Sequence, residues 1–405
     1  MSHSQDMEAA TFHGFAARSG EPWRDPFGMY AYLREHDPVH HVERGDFWVL
    51  SRYADVSAAA RDTATFSSAQ GLTFTYGDQE AAGLDAATPM VFLDPPEHTA
   101  FRRLISKGFT PRRVESIEPA VRSFVIERLE RLAGRDEVDI VAELFKPMPS
   151  FVVAHYLGVP PADRAKFDRW TDDIVAANAH GGPLTARDSV GELFDYFQHL
   201  VRRRRAEPAD DTISDLIRVF GDDEEHGLIR ILGFAFTMVA GGNDTTTGLL
   251  GPGAELLTDH PEQRDTLAED PALIPDAIDE LLRLTSPVQG LARTTTRDVE
   301  LHGTTVPAGR KVLLLYASAN RDPRQYGPDA ESLDITRRPR HILSFSVGPH
   351  HCIGASAARL QARVALEELL TRHPRFEVDA TRGVFAGGHY VRRYQSLPCY
   401  LGGTA

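Results

Sequence analysis

The chain has 405 residues, 44 basic against 58 acidic, and a formal net charge of −14. An acidic balance of that size excludes broad binding to nucleic acid or to an anionic membrane. Two cysteines, Cys352 and Cys399, cannot form a disulfide framework and point to a reducing compartment. A chain of this length with 42% hydrophobic residues can bury a large core without such staples.

The first residues, MSHSQDMEAATFHG, show no basic stretch followed by an apolar run, so no signal peptide is expected and the cytoplasm is the default location. Phe47 to Ser51 (FWVLS) reads as a strand. Asp94-Pro95-Pro96-Glu97-His98 opens a helix on which His98 and Arg102 share a face. Val121–Leu132 and Val190–Arg205 are amphipathic helices. The second ends in four arginines, which suit a solvated helix C-terminus. Ile231 to Gly242 (ILGFAFTMVAGG) is the most apolar run. It is shorter than the roughly 20 residues a bilayer requires and reads as a buried core helix.

Ile274–Leu284 is a third amphipathic helix. Val299–Thr305 reads as half of a hairpin turning at His302-Gly303, and Val312–Tyr316 (VLLLY) as a buried strand. A strongly helical segment begins at Gly354 (GASAARLQARVALEELLTR). No repeat and no low-complexity linker divides the chain. The expected fold is mainly α with a small β portion in a single domain, 1–405. A β-richer part covers roughly 25–70 and a helix-rich body roughly 94–375.

Cys352 stands in FSVGPHHCIGA, between Phe345 and Ala355. A zinc site is one reading, but His350, His351 and Cys352 are adjacent, whereas structural zinc takes spaced pairs, and Cys399 is distant and unpaired. A Cys/His nucleophile is a second, with 17 histidines to choose from, yet no nucleophile elbow surrounds the cysteine. A third is an axial haem ligand. A helix N-terminus favours thiolate over thiol, Gly348 and Gly354 permit tight turns against a flat ligand, and thiolate ligation favours O–O cleavage. For the cysteine alone, a buried structural thiol is the plainest reading.

The spacing Phe345-x-x-Gly348-x-His350-x-Cys352-x-Gly354 resembles the haem-binding loop of the cytochrome P450 family. Further segments resemble that family in the same order. Gly241-Gly242-Asn243-Asp244-Thr245 read by itself favours a helix C-cap followed by a new N-cap at Asn243 or Asp244. The resemblance instead implies the long central helix, with Gly241 and Gly242 making room for haem and oxygen and Asp244 and Thr245 as an acid–alcohol pair relaying protons. Glu280-Leu-Leu-Arg283 alone is an ordinary one-turn ion pair. Its apolar neighbours Ile278, Leu281 and Leu282 leave it little solvated face, and it resembles the family's buried E-x-x-R, tied to the loop before the cysteine. His98, Arg102, Arg293 and His350 match positions that hold the haem propionates. Ala319-Asn320-Arg321-Asp322-Pro323 with Tyr326 and Pro328 also resembles a family segment. Two departures are Ser346, where glycine is most common, and Pro349 beside His350. SPVQGLARTTTRD (Ser286–Asp298) and GGND resemble an actinobacterial, mycobacterial branch.

The resemblance implies the cytochrome P450 fold, with haem b between the central helix and the cysteine-loop helix, and a monooxygenase that inserts one atom of O2 into an apolar small molecule. The implied pocket comprises the loop Gln70 to Phe92 with Phe74, Tyr76 and Phe92, then Thr237, Ala240, Gln289, Leu291, Tyr390 and Val391, with Gln289 orienting one polar group. Electrons are expected from a separate ferredoxin and its reductase, since 405 residues leave no room for an added reductase. Arg102, Arg103, Lys107, Arg112 and Arg113 form a basic cluster that suits either an acidic ferredoxin or a solvated helix face. A haem-thiolate peroxygenase and a non-catalytic haem-based ligand binder are the alternatives.

Overall fold

A computed structural model describes residues 15–77, 88–180, 187–220 and 224–402. The first 14 residues, and 78–87 of the expected pocket loop, lie outside them. A five-stranded sheet runs in the spatial order Val39–Val42, Phe47–Leu50, Lys311–Leu314, Leu291–Thr295, Phe66–Ser67. Phe47–Leu50 lies parallel to Lys311–Leu314; the other neighbours are antiparallel. Lys311–Leu314 is buried along its whole length, as a central strand flanked on both sides should be. The β-rich N-terminal segment is thus completed by downstream strands, Phe47 pairing with Lys311, 264 residues on.

The three amphipathic segments are helices at Glu118–Glu130, Arg187–Ala206 and Ile274–Thr285. The last buries Ile274, Ile278, Leu281, Leu282 and Leu284, each contributing about 1.5–3 kcal/mol. That sum offsets the cost of taking Glu280 and Arg283 out of water on the same helix. The C-terminal helix Ala355–Arg372 packs between it and Glu118–Glu130. Arg122 and Arg363 join it to Glu118–Glu130 through Glu118, Glu367 and Glu368.

Three expectations change. Both hairpin strands, Val299–Leu301 and Thr304–Val306, fit where one was expected, because His302 and Gly303 both take positive φ (51° and 79°) and turn the chain in two residues. The buried run from Val312 leaves the sheet after Leu314, and Tyr316 starts a helical turn, Tyr316–Ala319. Arg204 is not a solvated helix end: it is buried, pairs with Asp211 and donates to Gly158 O. Arg202, Arg203 and Arg205 are exposed, as expected.

The central apolar run forms a helix from Glu224 to Gly242, followed after Asn243 by a second, Asp244–Asp259. Asn243 keeps helical dihedrals (φ −90°, ψ −60°) and makes no cap, so the break is a kink rather than a stop and restart. The kink positions Asp244 and Thr245.

Candidate active site

The cysteine loop is fixed by its backbone. Cys352 N–H donates to Phe345 O (2.8 Å) and Ser346 N–H to Leu343 O (2.8 Å). Gly348 has φ +72°, and a Cβ there would lie 3.2 Å from Ala60 O and Arg61 Cα, so the position requires glycine. Gly354 has ordinary dihedrals (φ −85°), and an added Cβ would meet the Cys352 thiol at 3.8 Å. Its expected need for glycine is therefore not seen. Ser346 adopts φ +55°, which explains the preference for glycine there, and its hydroxyl accepts from Tyr316 OH (3.3 Å).

Cys352 precedes the helix Ala355–Arg372, and its thiol is accessible although protein encloses it. That enclosure pushes the thiol pKa up, while the Gly354 N–H, Arg102 and Arg359 pull it down. A bare thiolate is costly here, and a bound cation would hold it ionised. Arg359, anchored to Asp279 Oδ1 (2.7 Å), lies over the Phe345 ring at 4.6 Å. His351 is exposed, 6.4 Å from that ring between centroids.

Beside the thiol stands a group of donors with no matching acid. His98 is 1% exposed, and neither ring nitrogen has a hydrogen-bond partner. Its ring lies 4.2 Å from that of His350, whose Nε2 is 3.2 Å from Ser68 Oγ. Arg102 donates to Pro349 O (3.2 Å). Arg293 is 2% exposed and donates to Ala292 O (2.8 Å). Neither arginine pairs with a carboxylate among the described residues, and the oxygens of nearby Asp94 are taken by Ser67 and Ser68. Burial lowers the pKa of His98, helped by Arg102. Burial, Arg293, His98 and Arg102 press that of His350 down to about 3. The imidazoles are therefore neutral donors and the two guanidiniums carry the charge. A buried guanidinium without counter-charge, as at Arg293, is expensive, and half-buried Arg102 adds to it; the carboxylates of a haem would supply what is missing.

At the kink, Thr245 Oγ1 donates to Gly241 O (3.0 Å) and Asn243 Nδ2 to Val239 O (2.7 Å). Gly241 has nothing within 4 Å of where a Cβ would be, although its neighbours Val239 and Asn243 are buried. Gly242 differs from expectation: a Cβ there would meet Val153 at 2.8 Å, so this glycine lets the helix pack on Pro147–Tyr156 and opens no ligand space. Asp244 pairs with Arg393, with Oδ1 2.7 Å from Nε and the side chains 19% and 10% exposed. Burial raises the Asp244 pKa, and Arg393 and Lys146 pull it part of the way back.

Glu280 and Arg283 are both 0% exposed and doubly bonded at 2.7 Å. Arg283 also donates to Asn320 O and Ala330 O (2.8 and 2.6 Å). Arg337 and the Asp334 N–H reach Glu280. Asn320 joins this helix to the cysteine loop: its Nδ2 donates to Ser286 Oγ and Ser344 Oγ, and its Oδ1 accepts from Leu343 N–H. Losing either member of such a pair costs about 3–5 kcal/mol. Asn320 lies in a segment the resemblance marked, but its role as a hub was not legible there, and Arg393 as the partner of Asp244 carried no sequence signal, since neither stands at helical spacing from its partner.

Thr237, Ala240, Leu291, Tyr390 and Val391 are half-buried, and Phe92 closes a short turn, Met90–Phe92, packed on the central helix. Val391 bridges to Val288, and Gln289 N–H donates to Tyr390 O (2.7 Å). Ala240 and Ile353 border the same apolar cluster, which places the helix stripe near the cysteine loop. Three expected pocket residues are engaged elsewhere. Gln289 is buried: its Oε1 accepts from Tyr30 OH (2.9 Å) and its Nε2 donates to Thr285 O and Ser286 O. Phe74 stacks on Phe47 at 4.7 Å, and Tyr76 OH donates to Asp46 O (2.8 Å) at the sheet edge. Apolar packing on Phe47 holds the Phe74 ring, whose backbone N–H still donates to Tyr390 OH (3.2 Å), whereas the exposed Tyr76 is held by its hydroxyl.

A family model for cytochrome P450 matches residues 185–384. The chain is 60% identical over 400 residues to cytochrome P450 130 of Mycobacterium tuberculosis, covering 97% of this chain and 99% of the relative. It is 36% identical to the vitamin D(3) 25-hydroxylase of Pseudonocardia autotrophica, covering 95% and 96%. Among solved structures, cytochrome P450 CYP109Q5 from Chondromyces apiculatus superposes with a TM-score of 0.84 at 35% identity, covering 95% and 96%. CYP109E1 from Bacillus megaterium, in complex with testosterone, gives 0.82 at 30% identity, covering 93% and 99%. Sequence, fold and an accessible thiol beside acid-free donors agree: the chain belongs to the cytochrome P450 family, the haem-thiolate monooxygenases.

Proposed function

We propose that Cys352 is the axial thiolate of a haem b held between the kinked central helix and the cysteine loop. His98, Arg102, Arg293 and His350 take the propionates, and Phe345 and Gly241 border the macrocycle. The observation that carries this reading is His98, buried with two unpartnered nitrogens beside unpaired guanidiniums. When bound, the haem supplies oxygen activation and substrate oxidation. The chain's own residues supply the rest. Asp244 is the acid of a relay through which Thr245, hydroxyl on Gly241 O, passes protons toward the open space at Gly241. Glu280, Arg283 and Asn320 hold the cysteine loop in register.

The substrate is an apolar small molecule bound against Phe92, Thr237, Ala240, Leu291 and Val391. Apolar lining and the vitamin D(3) and testosterone in the names of relatives support this class. A ferredoxin with its reductase supplies electrons, docking at the exposed Arg103 and Arg112. Arg113 is already paired to Asp210 and Asp215, and the side chain of Lys107 lies outside the described residues. A cytoplasmic location accords with free Cys352 and Cys399 and with the lack, among the described residues, of a helix able to cross a membrane.

A Soret-shift screen of apolar compounds, followed by turnover under labelled O2 with ferredoxin and reductase, tests the activity. One labelled oxygen in the product is expected, with Thr245→Ala releasing peroxide instead of product. Product formed only from added peroxide would establish the peroxygenase alternative.

A further inference from the structure

Residues 15–20 run along the tip of the C-terminal hairpin. Gly20 N–H donates to Ala386 O (3.1 Å), Gly388 N–H to Ser19 Oγ (3.0 Å) and His389 Nδ1 to Arg18 O (2.9 Å). The tip leads directly into the pocket lining. Tyr390 O accepts from Gln289 N–H (2.7 Å), its hydroxyl accepts from Phe74 N–H (3.2 Å), and Val391 follows it. Arg18 enters this border half-buried. Its Nη2 lies 3.9 Å from the Met29 thioether, its Nε is buried without a partner, and it pairs with no carboxylate among the described residues. The guanidinium also reaches inward: burial raises the pKa of the Tyr30 hydroxyl, which donates to Gln289 Oε1, and Arg392 and Arg18 lower it. The surroundings, Met29, Tyr30 and Phe47 with Phe15 and Phe74, are apolar. The acids attached to them are engaged. Asp37 pairs with His40, whose Nε2 accepts from Phe15 N–H, and Asp46 pairs with His41 and Arg310.

We propose that Arg18 is a specificity-determining residue that binds the carboxylate of an amphipathic substrate, whose apolar body runs past Phe74 and Tyr390 into the pocket. This rests on the pocket reading above and narrows its substrate class to acids with a long apolar body. A guanidinium withdrawn from water beside apolar side chains carries a desolvation cost that an incoming anion offsets. Its planar edge meets the two oxygens of a carboxylate. One uncompensated positive charge matches a monoanion rather than a doubly charged phosphate. A neutral analogue leaves the buried Nε unpartnered, as it is in the free protein.

The test uses the haem-loaded protein, each variant first checked for an unchanged reduced-CO spectrum. The probes are decanoic, dodecanoic and hexadecanoic acids and their methyl esters, with binding read by Soret shift and by calorimetry. Wild type is expected to bind the best acid about tenfold more tightly than its ester, the scale of one charge-assisted pair. Arg18→Gln should bring acid and ester level while leaving ester affinity unchanged, and Arg18→Lys should keep most of the preference. Arg18→Glu should reverse it, binding dodecyltrimethylammonium in preference to dodecanoate. Equal binding of acids and esters by wild type, a preference that survives in Arg18→Gln, or no response to any acid in a protein whose Soret band still shifts with phenylimidazole would overturn the role of Arg18 alone. No Soret response to phenylimidazole or to any acid would overturn the pocket reading beneath it, and the proposal with it.

Discussion

At the residue scale, one side chain is under two opposed influences. Asp244 is buried enough that its carboxyl titrates above the ordinary value of 3.8, and the Arg393 guanidinium recovers only part of that shift. A raised folded-state pKa means that folding favours the protonated form. The associated stability is full below the unfolded value and is lost as pH rises through the folded one. Asp244→Asn has no such loss. It carries a constant cost from leaving Arg393 unpaired, but its stability relative to wild type should climb as pH rises above 3.8. Denaturant titrations of both proteins at several pH values read this slope, and a flat or falling difference would contradict the raised pKa. Asp244 and Thr245 were legible in the sequence as a pair; their separate partners were not. Gln289 shows the converse. A polar residue in the expected pocket has every amide atom in use, on Tyr30, Thr285 and Ser286. Sequence spacing places a side chain near a site, but not which way it turns.

At the element scale, the cysteine loop combines one obligatory glycine with one tolerated strain. Gly348 is held by Ala60 and Arg61, whereas Ser346 occupies left-handed space at a cost of roughly 1–2 kcal/mol. The hydrogen bond from Tyr316 returns about 0.5–1.5 kcal/mol of this. Tyr316→Phe should therefore destabilise by about 1 kcal/mol in wild type and by close to nothing in a Ser346→Gly background, which a double-mutant cycle in denaturant measures. Equal losses in both backgrounds would remove the bond from the account. The helix Ile274–Thr285 was legible because its apolar period is strong, and the paired Glu280 and Arg283 had nowhere solvated to go. The kink at Asn243 was less so. Gly241-Gly242-Asn243-Asp244 favours a cap and restart on local propensity, yet tertiary packing on Val153 and side-chain bonds to Val239 O and Gly241 O carry the helix through. Gly242, expected to open ligand space, serves that packing instead.

At the scale of the whole molecule, the sheet that carries Arg293 joins strands of 39–67 to strands of 291–314, and Asn320 ties the Glu280–Arg283 helix to the cysteine loop. Such long-range closures leave no periodic trace, so the sequence reading, which took the chain as one domain with a β-richer N-terminal part, did not include the downstream strands that complete its sheet. Charge is likewise distributed unevenly. In a protein of net charge −14, Arg103 and Arg112 stay exposed while Arg113 is neutralised by two aspartates. Reduction by an acidic ferredoxin should slow as salt rises, and Arg103→Glu with Arg112→Glu should abolish most of that salt dependence in stopped-flow reduction under CO. Unaltered salt dependence would move the docking face elsewhere. Every role proposed for the site depends on Cys352 as the thiolate ligand. The most direct measurement is the reduced-CO absorption spectrum of wild type and Cys352→Ser, both loaded with haem. Wild type should show the long-wavelength Soret band of thiolate ligation and the serine variant should lack it; the same band in the variant would contradict the assignment.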